Sequence, residues 1–121
     1  MGTPTYREQA QKWIEELNNG FGGYEPDNVI IYLRDACKKG KLSLETDFGI
    51  TEEKLEELRV DAYKRIARRW RDCLISAINH INYTMVLAKI MEALNKAGLS
   101  PEDIGLTKEK LAELKSKAQI K

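Results

Sequence analysis

From Glu52 to Ala97 the chain runs for 46 residues without a glycine or a proline. Nothing in that stretch carries the backbone freedom or the missing N–H that most readily ends a helix. Unbroken, the helix would be about 69 Å long at 1.5 Å per residue. A compact domain of 121 residues has a radius of gyration of only about 13–14 Å. The segment must therefore break or kink, or hide its excess surface in a dimer. Asn79-His80-Ile81-Asn82-Tyr83-Thr84 is a string of weak helix formers, and a break is expected there.

The flanking segments carry their own start and stop signals. Thr5 and Glu8 stand in capping-box spacing, followed by Tyr6, Ala10, Trp13, Ile14 and Leu17 on one helical face. Asn18-Asn19-Gly20 ends this helix with residues that tolerate the left-handed conformation. Pro26 suits the first turn of a second helix, with Val29, Ile30, Leu33, Ala36 and Cys37 inward and Lys38-Lys39-Gly40 at its exit. Thr51 caps the long region, with Ile50 and Leu55 at hydrophobic-staple positions. Ser100-Pro101-Glu102-Asp103 opens a short turn that closes at Gly105, and Thr107 caps a last helix with Leu111, Leu114 and Ala118. No segment alternates with period two over five or more residues.

The expected fold is all-α: a bundle of about five helices with a long or kinked central region over 52–97, in a single domain over 4–121. Its core is expected to hold Trp13, Ile14, Leu17, Val29, Leu33, Leu55, Leu58, Ile66, Trp70, Leu74, Ala77, Ile81, Leu87, Leu111 and Leu114. Residues 49–59 and 105–115 match at seven of eleven positions. The reading preferred here is that both solve the same problem, a capped and stapled helix start, with the same chemistry. A duplicated recognition element is the alternative.

Twenty Lys and Arg stand against nineteen Asp and Glu, so net charge gives no reason to expect a nucleic-acid or membrane-surface protein. The longest uncharged run, Cys73 to Ala88, includes Ser76, Asn79, His80, Asn82 and Thr84 and is too short and polar to span a bilayer. No apolar leader follows Met1, which points to the cytoplasm, or to delivery into a host cytosol without a cleavable signal. Cys37 and Cys73 form no C-x-x-C pair and fall on apolar helical positions, where a thiol acts as a small buried hydrophobe.

Local charge is more informative. Between Arg59 and Asp72 lie six basic and two acidic residues. Lys64, Arg68 and Arg71 share one narrow helical face flanked by Arg65 and Arg69, while Ala62, Ile66, Trp70 and Cys73 point the other way. That face could bind an acidic protein surface or phosphates, or it could be a solvated face on which Asp61 and Asp72 pair with Arg65 and Arg68. The apolar residues from Cys73 to Met91 run round nearly the whole circumference of a helix, predicting burial on all sides or a homodimer seam. Phe21 and Tyr24, at the tip of the loop before Pro26, are candidate secondary anchors.

Catalysis finds little support. His80 is the only histidine and lies seven residues from Cys73, about 10 Å along a straight helix and beyond hydrogen-bond reach. One histidine without clustered cysteines makes no zinc site. No catalytic residue, metal or cofactor is expected.

Tyr6-Arg7-Glu8-Gln9-Ala10-Gln11-Lys12-Trp13 and Arg65-Ile66-Ala67-Arg68-Arg69-Trp70-Arg71-Asp72, with the size and helical pattern, make the chain resemble the small all-helical inhibitors (metaeffectors) of Legionella that silence ubiquitin-directed deamidase and transglutaminase effectors. The resemblance implies no activity of its own, direct protein binding, and interference with the target's approach to ubiquitin. It transfers no functional residues. The expected function is a non-enzymatic, protein-binding regulator using Lys64, Arg65, Arg68, Arg69 and Arg71, with Phe21 and Tyr24 as further contacts. The alternatives are a small nucleic-acid-binding protein using the same basic face and a structural homodimerisation module.

Overall fold

The computed structural model describes residues 5–20, 23–76 and 82–119. Among them are six α-helices, one short 3₁₀ helix and no strand. The helices are α1 (Tyr6–Asn19), α2 (Pro26–Lys39), α3 (Leu44–Phe48), α4 (Glu52–Ser76), α5 (Tyr83–Ala97) and α6 (Lys108–Gln119), with the 3₁₀ turn at Pro101–Ile104. The all-α class is as expected; the count rises from about five because α3 is added and the central region forms two helices.

That central region ends α4 at Ser76 and starts α5 at Tyr83. Asn82 is extended, and its side chain accepts the Met85 N–H at 3.1 Å. An N-cap is therefore what begins the second helix. Ala77 and Ile81, expected in the core, lie outside the described residues. Thr5 and Glu8 do form a capping box, and Thr51 and Thr107 accept the N–H groups of Lys54 and Lys110, each at 3.1 Å. Gly20 ends α1 differently from expectation. It is extended, at φ −67°, and glycine is needed because a Cβ would lie 2.6 Å from the Glu16 carbonyl oxygen.

The chain gathers into two compact units, Met1–Ala62 and Tyr63–Lys121, where one domain over 4–121 was expected. In the first unit, Ala10 and Leu17 of α1, Val29, Leu33, Ala36 and Cys37 of α2, and Leu55, Leu58 and Ala62 of α4 surround Ile50. In the second, Tyr63, Ala67 and Leu74 of α4, Val86, Ile90, Ala93 and Leu94 of α5, and Leu114 of α6 surround Ile104 and Leu106. Trp13, Ile14, Ile66, Trp70 and Leu111 pack against these clusters while partly exposed. Leu87 is only half-buried.

The second unit repeats the first, element for element. A shift of 57 residues (Tyr6 to Tyr63) sets Tyr6, Ala10, Trp13 and Leu17 on Tyr63, Ala67, Trp70 and Leu74. The same shift sets Val29, Leu33 and Ala36 on Val86, Ile90 and Ala93, and every one of those six is buried. The exits of α2 and α5 match in their hydrogen bonds. Leu42 N–H reaches the Cys37 carbonyl, and Leu99 N–H the Leu94 carbonyl, both at 2.8 Å. Ser43 and Ser100 then each give their N–H to an aspartate, Asp47 at 2.7 Å and Asp103 at 2.8 Å. Past α3, which is one residue longer than the 3₁₀ turn, the register continues through Gly49/Gly105, Ile50/Leu106 and Leu58/Leu114. The likeness of 49–59 to 105–115 is thus one part of a duplicated fold, and shared capping chemistry alone does not account for it.

Lys41 and Gly98 occupy the same turn position and both have positive φ, 54° and 71°. A left-handed conformation costs a residue with a Cβ about 1–2 kcal/mol, partly offset by the chain entropy that glycine loses on folding. Lys41→Gly is expected to raise stability by about 0.5–1 kcal/mol and Gly98→Lys to lower it by a similar amount. Urea unfolding of the two single variants measures both.

Candidate functional site

The basic segment lies on the part of α4 that belongs to the second unit. Lys64 and Arg65 are half-buried, Arg68 and Arg69 exposed, and Arg71 half-buried. On the inward side Ala67 is fully buried, and Ile66 and Trp70 pack against the core. The two-sided pattern expected of this helix is present, with Trp70 committed to packing.

The five basic residues are not alike. Arg71 Nη1 donates to the Ile104 carbonyl at 2.6 Å, and its Nε and Nη2 hold Asp72 Oδ1 at 3.0 and 2.9 Å. It ties α4 to the 3₁₀ turn and satisfies a carbonyl that the short helix leaves open. Arg71 therefore leaves the docking set, and Asp72 is held by Arg71 where pairing with Arg68 was expected. Arg68 forms no ion pair among the described residues.

Lys64 adds its charge near the capping aspartate of the second unit. Asp103 is held below the usual carboxylate range by the Ser100 N–H and hydroxyl, with a smaller contribution from the charge of Lys64. In the first unit the cation at the equivalent position pairs directly with the aspartate. Asp47 is lowered chiefly by the Ser43 N–H and further by Arg7, whose Nη2 lies 3.0 Å from its carboxylate. Arg7 stands at the position equivalent to Lys64, so this fold places a cation there in both copies. Arg65 and Arg68 differ, because the equivalent positions in α1 are Glu8 and Gln11. Arg69 replaces Lys12, whose Nζ sits 5.5 Å above the Trp13 ring.

Of the two loop anchors, Phe21 lies outside the described residues. Tyr24 is 46% exposed and meets Trp13 edge-on, with ring centroids 5.1 Å apart. Trp13 also meets Tyr32 at 5.0 Å, so three aromatics form one cluster on the first unit. Trp13 is expected in the core from its helical spacing, whereas Tyr32, one residue before buried Leu33, is not among the expected contacts. The visible signal was an aromatic beside the inward stripe.

Cys37 is buried, and desolvation raises its thiol above the ordinary value, which keeps it protonated. Cys73 is half-buried, and His80 lies outside the described residues. The expectation of burial on all sides between Cys73 and Met91 is corrected: Ile75 is 39% and Met85 55% exposed. The segment belongs to two helices, each with one face inward. Among the described residues no group of three or more His, Cys, Asp or Glu could hold a metal ion, and no helix is long and apolar enough to cross a membrane. Family models, curated proteins and solved structures return no match to this chain.

Two expectations follow. Arg71→Met should cost about 1.5–3 kcal/mol, the range for a hydrogen bond from a charged donor, while Arg68→Ala stays within about 0.5 kcal/mol of the parent; urea unfolding followed by circular dichroism separates them. Asp47 and Asp103 have folded pKa values below their unfolded ones. Their stabilising contribution is therefore present above the unfolded value near pH 4 and lost as pH falls through the folded values. Asp47→Asn should lower stability at pH 7 and flatten its decline on acidification, as read from unfolding midpoints between pH 7 and pH 2.

Proposed function

We propose that this chain is a non-enzymatic, protein-binding regulator that docks through Arg65, Arg68 and Arg69 onto an acidic protein surface. The carrying observation is the contrast between the two copies. The first unit has Gln11 where the second has Arg68, so the fold itself does not call for an arginine at that position. Guanidinium groups make planar, paired hydrogen bonds to carboxylates, which suits them to an acidic partner. Trp70, the aromatic nearest these arginines in sequence, packs against the core, and this favours protein over nucleic acid, whose unpaired bases stack on open rings. On the first unit, the aromatic cluster at Tyr24 is by itself a candidate contact of the kind that dominates binding energies.

The resemblance to inhibitors of ubiquitin-directed effectors names the first partner class to examine. The regulator would act by occupying the surface through which such an enzyme reaches ubiquitin. Arg68→Glu combined with Arg69→Glu should weaken capture of a purified deamidase or transglutaminase effector by at least tenfold, about 1.4 kcal/mol. Helix content by circular dichroism should be unchanged, and effector activity on ubiquitin should recover in the same assay. Equal capture by parent and variant removes the basic face from the reading. Binding to duplex nucleic acid that weakens steeply with salt would replace the protein partner altogether.

A further inference from the structure

The two units also differ where α5 and α6 of the second replace α2 and α4 of the first, and the difference bears on a second site. In the first unit Arg59 is enclosed by carboxylates. Its Nη2 lies 2.7 Å from Glu56 Oε1 and its Nη1 3.4 Å from Asp27 Oδ1, with only 21% of the side chain exposed. The equivalent residues of the second unit are Lys115, Ala112 and Thr84. Both carboxylates are gone and the cation remains. Lys115 is exposed and forms no ion pair among the described residues. Its neighbours in sequence satisfy one another instead, Glu113 pairing with Lys117 at 3.0 Å and with Lys110 at 3.9 Å.

Where the first unit has that ion cluster, the second has an open groove of about 610 Å³, within the range of small-molecule sites. Tyr83, Leu87, Leu111 and Ala112 line it, with Thr84 and Lys115 as its polar members. Tyr83 is held in place by donating its hydroxyl to the Leu111 carbonyl at 3.2 Å, and burial pushes its phenol up from the ordinary value. The walls are thus apolar and largely fixed, with one cation lacking the counter-charge that the sister unit builds in.

We infer that the α5–α6 groove is a binding site for a small amphipathic carboxylate, with an aliphatic body along Tyr83, Leu87 and Leu111 and its carboxylate on Lys115 in the place of Glu56. The site is separate from the arginines proposed to bind protein and does not depend on that reading.

Decanoate, kept below its micelle concentration, is the probe for the full-length chain. Calorimetry is expected to show saturable one-to-one binding, and amide shift changes should concentrate on Thr84, Leu87, Ala112 and Lys115. Decanol, with the same tail and no charge, should bind at least tenfold more weakly, as should decanoate to Lys115→Gln. Ala112→Glu restores the carboxylate of the first unit three residues before Lys115, and should abolish binding while circular dichroism stays unchanged. Arg68→Glu with Arg69→Glu should bind decanoate like the parent, which keeps this test independent of the docking face. The inference is overturned by absence of saturable binding, by equal affinity for decanol, or by indifference to both groove variants. It also fails if an acidic amphipathic peptide occupies the groove and decanoate does not.

Discussion

Each unit turns on one buried aliphatic residue held beneath a left-handed glycine. Ile50 follows Gly49, at φ 67°, and Leu106 follows Gly105, at φ 80°. Both give their N–H back to the start of the preceding short helix, to Leu44 and Pro101, at 2.9 Å. The glycine is required because a side chain there would meet the penalty of the left-handed region. The hydrogen bonds close the short helix, and the aliphatic residue then enters the core as the next helix begins at a threonine cap. Without that corner, the last helix of each unit would not return to the first two, and the clusters around Ile50 and Leu106 would lose their third wall.

A fold present twice in one chain provides its own control. Residues kept at equivalent positions are those that the architecture uses: Ala10 and Ala67, both fully buried, and the ion pairs Lys39–Asp35 and Lys96–Glu92 near the ends of α2 and α5. The cation facing the capping aspartate, Arg7 or Lys64, belongs with them. Residues that differ in charge between equivalent positions answer to no demand that the two units share. In the basic segment of α4, Arg71 serves the fold through its bond to the Ile104 carbonyl, Lys64 and Arg69 keep the charge of Arg7 and Lys12, and Arg68 stands where the first unit has the neutral Gln11.

Helix starts were legible in the sequence because they depend on a few local residues. Thr5, Pro26, Thr51, Ser100 and Thr107 all begin the elements expected of them. The break in the long region was legible for the same reason, since Asn82 is a strong N-cap residue. α3 escaped notice because five residues are too few to show a helical period. The duplication was visible only at 49–59, where capping chemistry preserves identity. Elsewhere the equivalences are substitutions of like for like, Leu33 for Ile90, Cys37 for Leu94 and Asp35 for Glu92, and the register slips by one residue at α3. The tie of Arg71 to Ile104 was not legible, because it spans 33 residues of chain and no spacing rule reaches that far.

Ion pairs explain why the two units could diverge where they do. The Arg59 cluster and the Arg34–Glu52 pair, bidentate at 2.7 and 3.1 Å, lie toward the surface, where such pairs contribute only about 0–1 kcal/mol each. Replacing Glu56, Asp27 and Arg34 by Ala112, Thr84 and Met91 therefore costs the second unit little, provided its aliphatic core is intact, and Leu74, Ile90, Leu94, Leu106 and Leu114 are all fully buried. Stability resides in positions that do not change, and recognition can be built at those that do. Arg68 and Lys115, neither of which forms an ion pair among the described residues, both stand at such permissive positions, where one unit carries charges that its sister does not balance in the same way.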